Sequence, residues 1–520
     1  MSRDVFAREA LAQIPKILTL QDRNAHSPTY GCFDRNYWHY KIIDFPSGMA
    51  QEFVWPLALV YSLDLPDNPY RGKPAIREWV EAGMLFAARS AHADGSCDDY
   101  FPFEKAAGAA AFSLLACLES YQLLQIDNAE LRAFFAKRAD WLASHEESGR
   151  LTNHQALTAL CLTKLGKEEA SARRLQRVLE WQDEEGWFAE YEGCDPGYHT
   201  LTIALLAQLY ELRPDRGVAS ALRKAIEFAA HFIHPDGSFG GEYGSRNTYN
   251  FFPHGFEIAG KWMPEALALN DRFLAGLTNG LQACYADDHI IGHHTWSYLL
   301  AWQHWVAQRP QPSARPAGRT HFARAGLLVE RRGSATLYLA LNKGGVFKLF
   351  HGEQLALSDT QVSVLMDDGR NAVAQLVGVY DVQLREDEIV ISGSLGWAKQ
   401  KKMTPPNMIV LRLLMLTIGR FFPDLVRKLL QRMLITGKEH TPFRFKRTLT
   451  WQGEELHIAD ELTADSWTNV RAVGIGPAQT SIYVVMSRTW QAGQLQSWLD
   501  LTSELQKLKP SDALRFERRG

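Results

Sequence analysis

Two short polar segments carry the residue types best suited to proton transfer. Asn153 and His154 stand at the start of the apolar run TNHQALTALCL, and Tyr198 and His199 stand in CDPGYHTLTIALL. Because both runs have helical spacing, these side chains lie near the first turn of a helix, where one cleft can collect them. Imidazole and phenol groups both exchange protons. Together the segments suggest proton transfer to and from a bound substrate.

Each of these residues also has a purely structural interpretation. Asn153 can be a helix N-cap, and Tyr198 can be a half-buried packing residue whose hydroxyl is satisfied. His199 is better explained as a structural or substrate-orienting residue than as a catalytic one. The residue types alone leave these alternatives open.

The segment GSRNTYNFFPHGFE supplies further candidates. It holds Arg246, Asn247, Tyr249 and His254 close together in the chain. A segment rich in glycine and aromatic residues can also form a rigid rim, so both site and scaffold roles stay open for Arg246 and His254. The same holds for Trp38 in the aromatic segment 29–56, since aromatic side chains most often belong to the core.

Composition excludes several classes of protein. The chain has 520 residues, a formal net charge of −3 and 22% charged residues, which is typical of a soluble globular protein and gives no electrostatic sign of nucleic-acid binding. Its 6 cysteines form no CxxC pair, so neither a zinc site nor a disulfide framework is indicated. We expect reduced thiols, no cofactor and no metal.

Localisation is predicted from the start of the chain and from its hydrophobic segments. MSRDVFAREALAQIPKILTL is charged and amphipathic, unlike a secretory signal, and no segment has the apolar length of a spanning helix. We therefore expect a cytoplasmic protein. Residues 408–436 combine a dense apolar face with arginine and lysine, which is typical of a helix lying on an anionic membrane. Peripheral contact with the inner membrane and packing on the protein itself are both open.

Periodicity divides the chain into two domains. Residues 1–308 are predicted to be all-helical, with loops rich in aromatic and acidic residues recurring between helices, as in an (α/α) toroid. The Pro/Arg-rich segment 309–320 is predicted to be a linker. Residues 321–520 show short alternating runs typical of an antiparallel β-sandwich, interrupted by an amphipathic helical insertion at about 403–437. The expected fold class is multi-domain α+β. The helices predicted most clearly are 106–124, 131–144, 157–165, 201–212 and 218–232.

This organisation resembles the heparinase II/III-like family, which includes alginate lyase- and heparinase-type polysaccharide lyases built from an (α/α) toroid and a β-sandwich. The resemblance is carried by Asn153-His154, by EYEGCDPGYH at 190–199 and by the stretch 325–361. It implies a lyase that acts by β-elimination on a uronic-acid-containing polysaccharide or oligosaccharide. Without a recognisable secretion signal, a role in exopolysaccharide or capsule metabolism is expected.

The resemblance also implies residue roles. Asn153 would bind the substrate carboxylate, His154 would neutralise it or abstract the proton, and Tyr198 would be the acid and also a candidate base. A phenol has an ordinary pKa of about 10, so base work requires a nearby cation, for which Arg246 is the candidate. The remaining expected site residues are His254 as catalytic, and Asn247, His199, Tyr249, Trp38 and Glu190 as substrate-binding.

Other functions fit parts of the sequence. A uronyl epimerase would use the same proton abstraction. A toroid glycoside hydrolase could use the acidic cluster Asp94, Asp98, Asp99 and Glu104 together with Glu190 or Asp195. A terpene-cyclase toroid is disfavoured because its Asp-x-Asp-Asp motif is absent, and a non-catalytic glycan-binding assembly factor is the alternative without chemistry. His293-His294 lacks an acidic partner at ligand spacing, so no metal is predicted there. The sequence does not predict the oligomeric state.

Overall fold

A computed structural model describes residues 2–147, 149–191, 193–281, 284–285, 290–311, 315–398, 404–426, 429, 440–480, 489–491, 494–509 and 512–520. Helices dominate the chain up to Gln303, and strands dominate from Gly318 onward. The multi-domain α+β fold predicted from the sequence is confirmed.

The helices are short to medium in length and are joined by loops. They are α1 (Asp4–Leu11), α2 (Ile14–Leu20), α3 (Arg35–Trp38), α4 (Val54–Ser62), α5 (Pro74–Ser90), α6 (Ala107–Leu123), α7 (Ala129–Ser144), α8 (Thr152–Lys164), α9 (Glu168–Glu180), α10 (Pro196–Leu212), α11 (Arg216–Ala229), α12 (Pro253–Gly260), α13 (Pro264–Thr278), α14 (Ile290–Gln303), α15 (Pro405–Leu414) and α16 (Thr502–Leu505). A 3₁₀ helix, Met49–Phe53, leads into α4, and a π-helical turn, Met415–Gly419, continues α15.

Six of these helices form a closed inner ring. Helices α4, α6, α8, α10, α12 and α14 each contact the next in this order, and α14 contacts α4. Helices α5, α7, α9, α11, α13 and α1 lie outside and pack on the ring. The inner helices α6 and α10 are buried along most of their length, whereas α11 buries one face only, as expected for inner and outer layers. This is the predicted (α/α) toroid.

The two ends of the toroid can be told apart. Leu123, Lys164, Leu212 and Gln303, the last residues of α6, α8, α10 and α14, line one cavity of about 350 Å³. These four inner helices therefore run parallel, with their C-terminal ends around this cavity and their N-terminal ends at the opposite rim. The loops that enter the inner helices lie at that N-terminal rim.

The strands form two small two-stranded sheets and two large antiparallel sheets. In chain order they are β1 (Ala189–Glu190), β2 (Gly193–Cys194), β3 (Cys284–Tyr285), β4 (Gly318–Phe322), β5 (Leu327–Arg332), β6 (Ala335–Ala340), β7 (Val346–His351), β8 (Gln354–Asp359), β9 (Val362–Met366), β10 (Asn371–Val373), β11 (Asp381–Leu384), β12 (Glu388–Trp397), β13 (His440–Gln452), β14 (Glu455–Ala464), β15 (Val470–Ile475), β16 (Thr489–Trp490), β17 (Leu499–Asp500) and β18 (Leu514–Arg519). One large sheet has the order β4-β5-β6-β7-β8, and the other has the order β17-β15-β9-β10-β12-β13-β14-β18, with β11 beside β12.

The five-stranded sheet is a middle layer that is buried on both faces. Along β6, Leu337 and Leu339 belong to the core shared with the nine-stranded sheet. Tyr338 and Ala340 belong instead to the core shared with the toroid. This alternation follows the two-residue period of a strand. The sandwich is therefore docked on the toroid through a continuous apolar core, and Lys348 of β7 projects toward the toroid as well.

The predicted elements agree with the structure in most places. The five predicted helices correspond to α6, α7, α8, α10 and α11. Strand β4 begins at Gly318, inside the segment predicted as a linker. The insertion leaves the sheet after β12 and returns at β13, which pair with each other. Most of TSIYVVMSRTW, residues 480–490, which is one of the short alternating runs, lies outside the described residues, as does part of the insertion.

Candidate functional site

The N-terminal rim brings together residues from three separate parts of the chain. Asn153 and His154 lie in the first turn of α8, and Tyr198 lies in the first turn of α10. Glu190 belongs to the β1–β2 hairpin between those helices, and Arg246 belongs to the loop that enters α12. The structure thus gathers five of the predicted site residues in one cluster, which we call the rim cluster.

Glu190 is the centre of the hydrogen bonds in the rim cluster. Its Oε1 accepts from Asn153 Nδ2 at 2.7 Å and from the Asn153 backbone N–H at 3.2 Å. Its Oε2 lies 3.2 Å from Arg246 Nη1, and Glu190 is completely buried. Burial raises the pKa of the Glu190 carboxyl, although the charge of Arg246 and the hydrogen bonds from Asn153 oppose that rise. Glu190 therefore fixes Asn153 and Arg246 relative to each other.

The Arg246 guanidinium lies between two aromatic rings. Its Cζ is 3.8 Å from the ring centroid of Tyr198 and 4.7 Å from that of Tyr191. Both distances are within the range of cation–π attraction. Tyr191 also has a positive φ of 58°, a conformation that costs energy for a bulky residue and is often found at functional sites. The hairpin thus holds Tyr191 in a strained position against Arg246.

Asp195 explains why the start of α10 lies at this point. It is the N-cap of α10, accepting at 3.0 Å from the Tyr198 N–H, and Pro196 follows at the first helical position. Asp195 also accepts from the Arg246 N–H at 2.9 Å and from the Thr248 hydroxyl. Both carboxylate oxygens accept hydrogen bonds, so Asp195 positions Tyr198 and Arg246.

The Tyr198 hydroxyl is protonated at rest and is not bonded to any described residue. Burial raises the pKa of the Tyr198 hydroxyl, and the positive charge of Arg246 offsets only part of that rise. The ring is 8% exposed, and no described residue hydrogen bonds to the hydroxyl. The expectation that Arg246 stands beside Tyr198 agrees with the geometry. Its effect is smaller than that of burial, so the resting phenol is protonated.

His154 is oriented by a carboxylate. Its Nδ1 donates to Glu147 Oε2 at 2.7 Å, which leaves Nε2 as the acceptor nitrogen of a neutral ring. The ring lies against Gly108 of α6, where an added Cβ would stand 2.4 Å from His154 Cε1. When its ring is protonated, His154 lowers the pKa of the Glu190 carboxyl, so the two side chains lie close together. A carboxylate-oriented imidazole is the usual arrangement of a general base.

Several buried polar atoms in the rim cluster and next to it have no hydrogen-bond partner among the described residues. These atoms are Asn153 Oδ1, Arg246 Nε and Ser245 Oγ. Leaving a buried polar group unsatisfied costs about 1–3 kcal/mol, so such atoms are uncommon unless something else binds them. Because Asn153 and Arg246 both bond Glu190, their unsatisfied atoms give a polar ligand two hydrogen-bonding partners in one place.

Two predicted histidines lie outside the rim cluster. His254 contacts Ser297 Oγ at 2.8 Å and Gln208 Nε2 at 3.1 Å. Gln208 is ten residues beyond Tyr198 on α10, about 15 Å along the helix, and lines the cavity at the other end of the toroid. Burial lowers the pKa of His254 to about 3. The structure does not bring His254 to Tyr198, so we leave it out of the proposed site.

His199 is a core residue. Its Nε2 donates to the Ala225 carbonyl oxygen at 2.8 Å, and its ring packs between Phe188 and Phe228. Burial lowers its pKa to about 4, and its side chain has no exposed surface. Adjacent residues of a helix point about 100° apart, so His199 faces α11 while Tyr198 faces the rim.

Asn247 and Tyr249 join the toroid to the sandwich. The Lys343 ammonium donates to Asn247 Oδ1 at 2.5 Å and to the carbonyl oxygens of Glu242 and Gly244 at 2.7 Å each. Tyr249 donates to Glu242, which also pairs with Lys348 at 2.9 Å. All of these side chains are buried, so this network fixes the loop that carries Arg246.

Trp38 and the histidine pair of α14 are held by contacts of their own. Trp38 Nε1 donates to the Leu20 carbonyl oxygen at 2.8 Å. His293 bonds Glu52 at 2.5 Å and stacks on Phe112, while His294 stacks on Phe252. Within the described part of the chain, no group of three or more His, Cys, Asp or Glu side chains is placed to hold a metal ion.

The carboxylates of the acidic cluster at 94–104 form hydrogen bonds mainly with their own loop. Asp98 bonds His92 and accepts from the backbone N–H groups of Phe103 and Lys105. Glu104 accepts from the N–H groups at positions 99 and 100, and Asp99 accepts from Ser47 Oγ. These carboxylates bind groups of their own loop and of Ser47, so the cluster gives no support to a hydrolase.

The sequence did not single out Tyr191, Glu147 or the two lysines of the sandwich. Tyr191 lies inside the segment 190–199, next to Glu190, so its position was a usable signal. Glu147 is part of a polar loop with no motif, and Lys343 and Lys348 lie in another domain. Only the folded chain brings those three residues to the rim loops.

Comparison with known proteins shows which fold the chain has, but it shows no closer relationship to a protein family. No protein-family model matches the sequence, and no significant match is found among curated proteins. Among solved structures, the Streptomyces coelicolor A3 chondroitin AC lyase in complex with chondroitin sulphate is similar with a TM-score of 0.55 at 10% identity, over 99% of this chain and 76% of that one. A Paenibacillus xanthan lyase has a TM-score of 0.51 at 10% identity, over 91% of this chain and 46% of that one. The chain therefore has the toroid-and-sheet fold of polysaccharide lyases, and the comparisons do not single out the heparinase II/III-like family.

Proposed function

We propose that this protein is a polysaccharide lyase that cleaves a uronic-acid-containing polysaccharide or oligosaccharide by β-elimination. The observation that carries the proposal is the rim cluster, where a protonated Tyr198, a carboxylate-oriented His154 and an Arg246–Asn153 pair meet among unsatisfied buried polar atoms. The fold shared with chondroitin AC and xanthan lyases supports it.

The reaction needs three functions in one place. A base removes the proton from the carbon next to the uronate carboxylate, a double bond forms to the neighbouring carbon, and the bond from that carbon to the glycosidic oxygen breaks. The leaving oxygen then takes a proton from an acid. The carboxylate must be stabilised as charge develops on it, which positioned cations and hydrogen-bond donors do.

We assign these functions to groups of the rim cluster. Arg246 and the second N–H of the Asn153 amide stabilise the substrate carboxylate. His154 accepts the proton through Nε2, because Glu147 holds Nδ1 in the protonated form. Tyr198 protonates the leaving oxygen, since burial keeps the phenol protonated and Arg246 stabilises the phenolate that forms.

Glu190 has a supporting part in this proposal. It holds Arg246 and Asn153 in place before substrate binds. Its pKa is raised by burial, so it takes up a proton more readily than an ordinary glutamate. Proton uptake by Glu190 on binding leaves the charge of Arg246 for the substrate carboxylate.

The biological setting is part of the proposal. We propose a heparinase II/III-like lyase of the cytoplasm that acts in exopolysaccharide or capsule metabolism. The experiment is incubation of the full chain with a panel of uronate-containing polysaccharides while ultraviolet absorbance of the unsaturated uronate product is followed. Absence of a signal, together with deuterium incorporation from heavy water into the substrate, would replace the lyase with a uronyl epimerase.

A further inference from the structure

The insertion between β12 and β13 presents an unusual apolar surface. Its described part runs from Thr404 to Val426 and includes α15 and the π-helical turn, with Leu429 beyond. Many large apolar side chains of this short segment are about half exposed or more. They are Met408, Ile409, Val410, Leu413, Leu416, Ile418, Phe421, Phe422, Leu425 and Leu429. We call these residues the apolar face.

The other side of the insertion is attached to the toroid. Met415 and Val426 are buried, Arg412 pairs with Asp44, and Arg420 lies over the Phe103 ring at 5.4 Å. Asp424 lies 3.9 Å from His145. These contacts fix which side of the insertion faces outward, so the apolar face is a feature of the folded chain and not of a detached segment.

The insertion is also strongly basic. Residues 398–439 contain nine lysines and arginines and two acidic residues, a formal charge of +7 in a chain whose net charge is −3. A protein partner with an acidic surface would match the charge but would not need an aliphatic face of this size. An apolar face with a basic sequence matches a bilayer that carries anionic headgroups, because its interior takes the apolar side chains and its surface attracts the cations.

We infer that the apolar face docks this protein on the surface of an anionic lipid bilayer. None of the described helices is long and apolar enough to cross a membrane, so the segment lies in the plane of the interface. Phe421 is 72% exposed and Phe422 is 63% exposed, which makes them the side chains best placed to enter the acyl region.

Docking would place the rim cluster near the bilayer. The loop that contacts the insertion through His145 contacts the rim cluster two residues later, where Glu147 bonds His154. The apolar side chains Tyr40, Ile42 and Tyr100 are exposed on neighbouring loops of the same rim. Docking itself does not depend on the reaction proposed above, so the two proposals can fail separately.

The test is flotation of the full-length protein with two kinds of vesicle, phosphatidylcholine alone and phosphatidylcholine mixed with phosphatidylglycerol. We expect the protein to float with the anionic vesicles, with binding at least about tenfold weaker for the neutral ones and in high salt. The double variant Phe421→Ser, Phe422→Ser should bind the anionic vesicles at least about tenfold more weakly. Val379→Ser removes a 97% exposed apolar side chain outside the insertion and should bind like the wild type.

Charge is tested with Arg427→Glu combined with Lys428→Glu, which should weaken anionic binding and leave the thermal unfolding midpoint unchanged. Absence of flotation with either vesicle would overturn the inference. Equal flotation of the Phe421→Ser, Phe422→Ser variant would overturn it too. A wild-type dimer that the same variant converts to a monomer, without flotation of either, would show that the apolar face joins two copies of the chain instead.

Discussion

The guanidinium of Arg246 stands 3.8 Å from the ring centroid of Tyr198, and both residues are almost fully buried. A cation at the face of a phenol stabilises the phenolate more than the phenol, so it helps most when the proton leaves. Burial meanwhile keeps the resting hydroxyl protonated. This pairing suits an acid that must hold its proton until a leaving group takes it.

The pair between Arg246 and Glu190 should matter for stability as well as for activity. Arg246→Met leaves a buried carboxylate without its cation, which costs about 3–5 kcal/mol of unfolding free energy. Adding Glu190→Gln removes the charge and should restore part of that loss. Denaturant unfolding of the single and double variants measures both effects.

The control for that experiment is an exposed ion pair. Arg173→Met breaks the Arg173–Glu169 pair on the surface and should cost less than about 1 kcal/mol. Equal losses for Arg246→Met and Arg173→Met would contradict a structural role for the buried pair.

The two histidines first predicted to be catalytic should behave differently. His154→Gln should lower kcat by about 10²- to 10⁴-fold, the usual contribution of a general base. His254→Gln should keep most of the activity, because His254 lies at the other end of α10 and its pKa of about 3 keeps the ring neutral. Steady-state kinetics on the same substrate decides between them, and similar losses for both variants would mean that the proposed site is misplaced.

Glu147 should act through His154. Glu147→Gln should reduce kcat by about 10- to 100-fold with little change in KM, because the imidazole loses the group that orients it. Glu146→Gln is the matched control, since Glu146 pairs with Arg174 and Arg177 and not with His154. A loss that appears only in KM would assign Glu147 to substrate binding.

Lys343 gives a prediction for the pH dependence of stability. Burial lowers the pKa of its ammonium to about 7, with the charges of Asp195 and Glu242 opposing the shift. Between about pH 7 and 10 the unfolded chain holds up to one more proton at this lysine than the folded chain does. The free energy of unfolding therefore rises as the pH rises. Relative to Lys343→Met, the wild type should gain about 2 kcal/mol between pH 7 and 9. Denaturant unfolding at both values checks it, and a constant difference would contradict the lowered pKa.

Local sequence signals were sufficient to predict the toroid and the helix positions of two residues of the candidate site. The Asp195-Pro196 start of α10 and the polar start of α8 are helix-entry patterns, and they place Tyr198 and Asn153 at helix N-termini. Parallel inner helices then bring those starts to one rim. Glu190 and Arg246 join them through loops of the same rim, which the spacing of aromatic and acidic segments indicated.

Other features depend on relationships that a single sequence does not carry. His199 and Tyr198 are neighbours in the chain but face different layers, and His254 bonds Gln208, about 15 Å along α10 from Tyr198. The middle position of the five-stranded sheet places Lys343 and Lys348 against the toroid loops. A strand such as β6, which is buried on both faces, has a continuous apolar sequence. Such a run fits a buried helix equally well, so the sequence does not reveal the middle position of this sheet.

The most direct test of β-elimination at the rim cluster is ultraviolet absorbance during incubation of uronate-containing polysaccharides with the wild type and with Tyr198→Phe. We expect the absorbance of an unsaturated uronate to grow with the wild type on at least one substrate. Tyr198→Phe should produce no such signal while calorimetry shows that it still binds the same saccharide. A fully active Tyr198→Phe variant, or no absorbance with any uronate polysaccharide, would contradict the proposed β-elimination at the rim cluster.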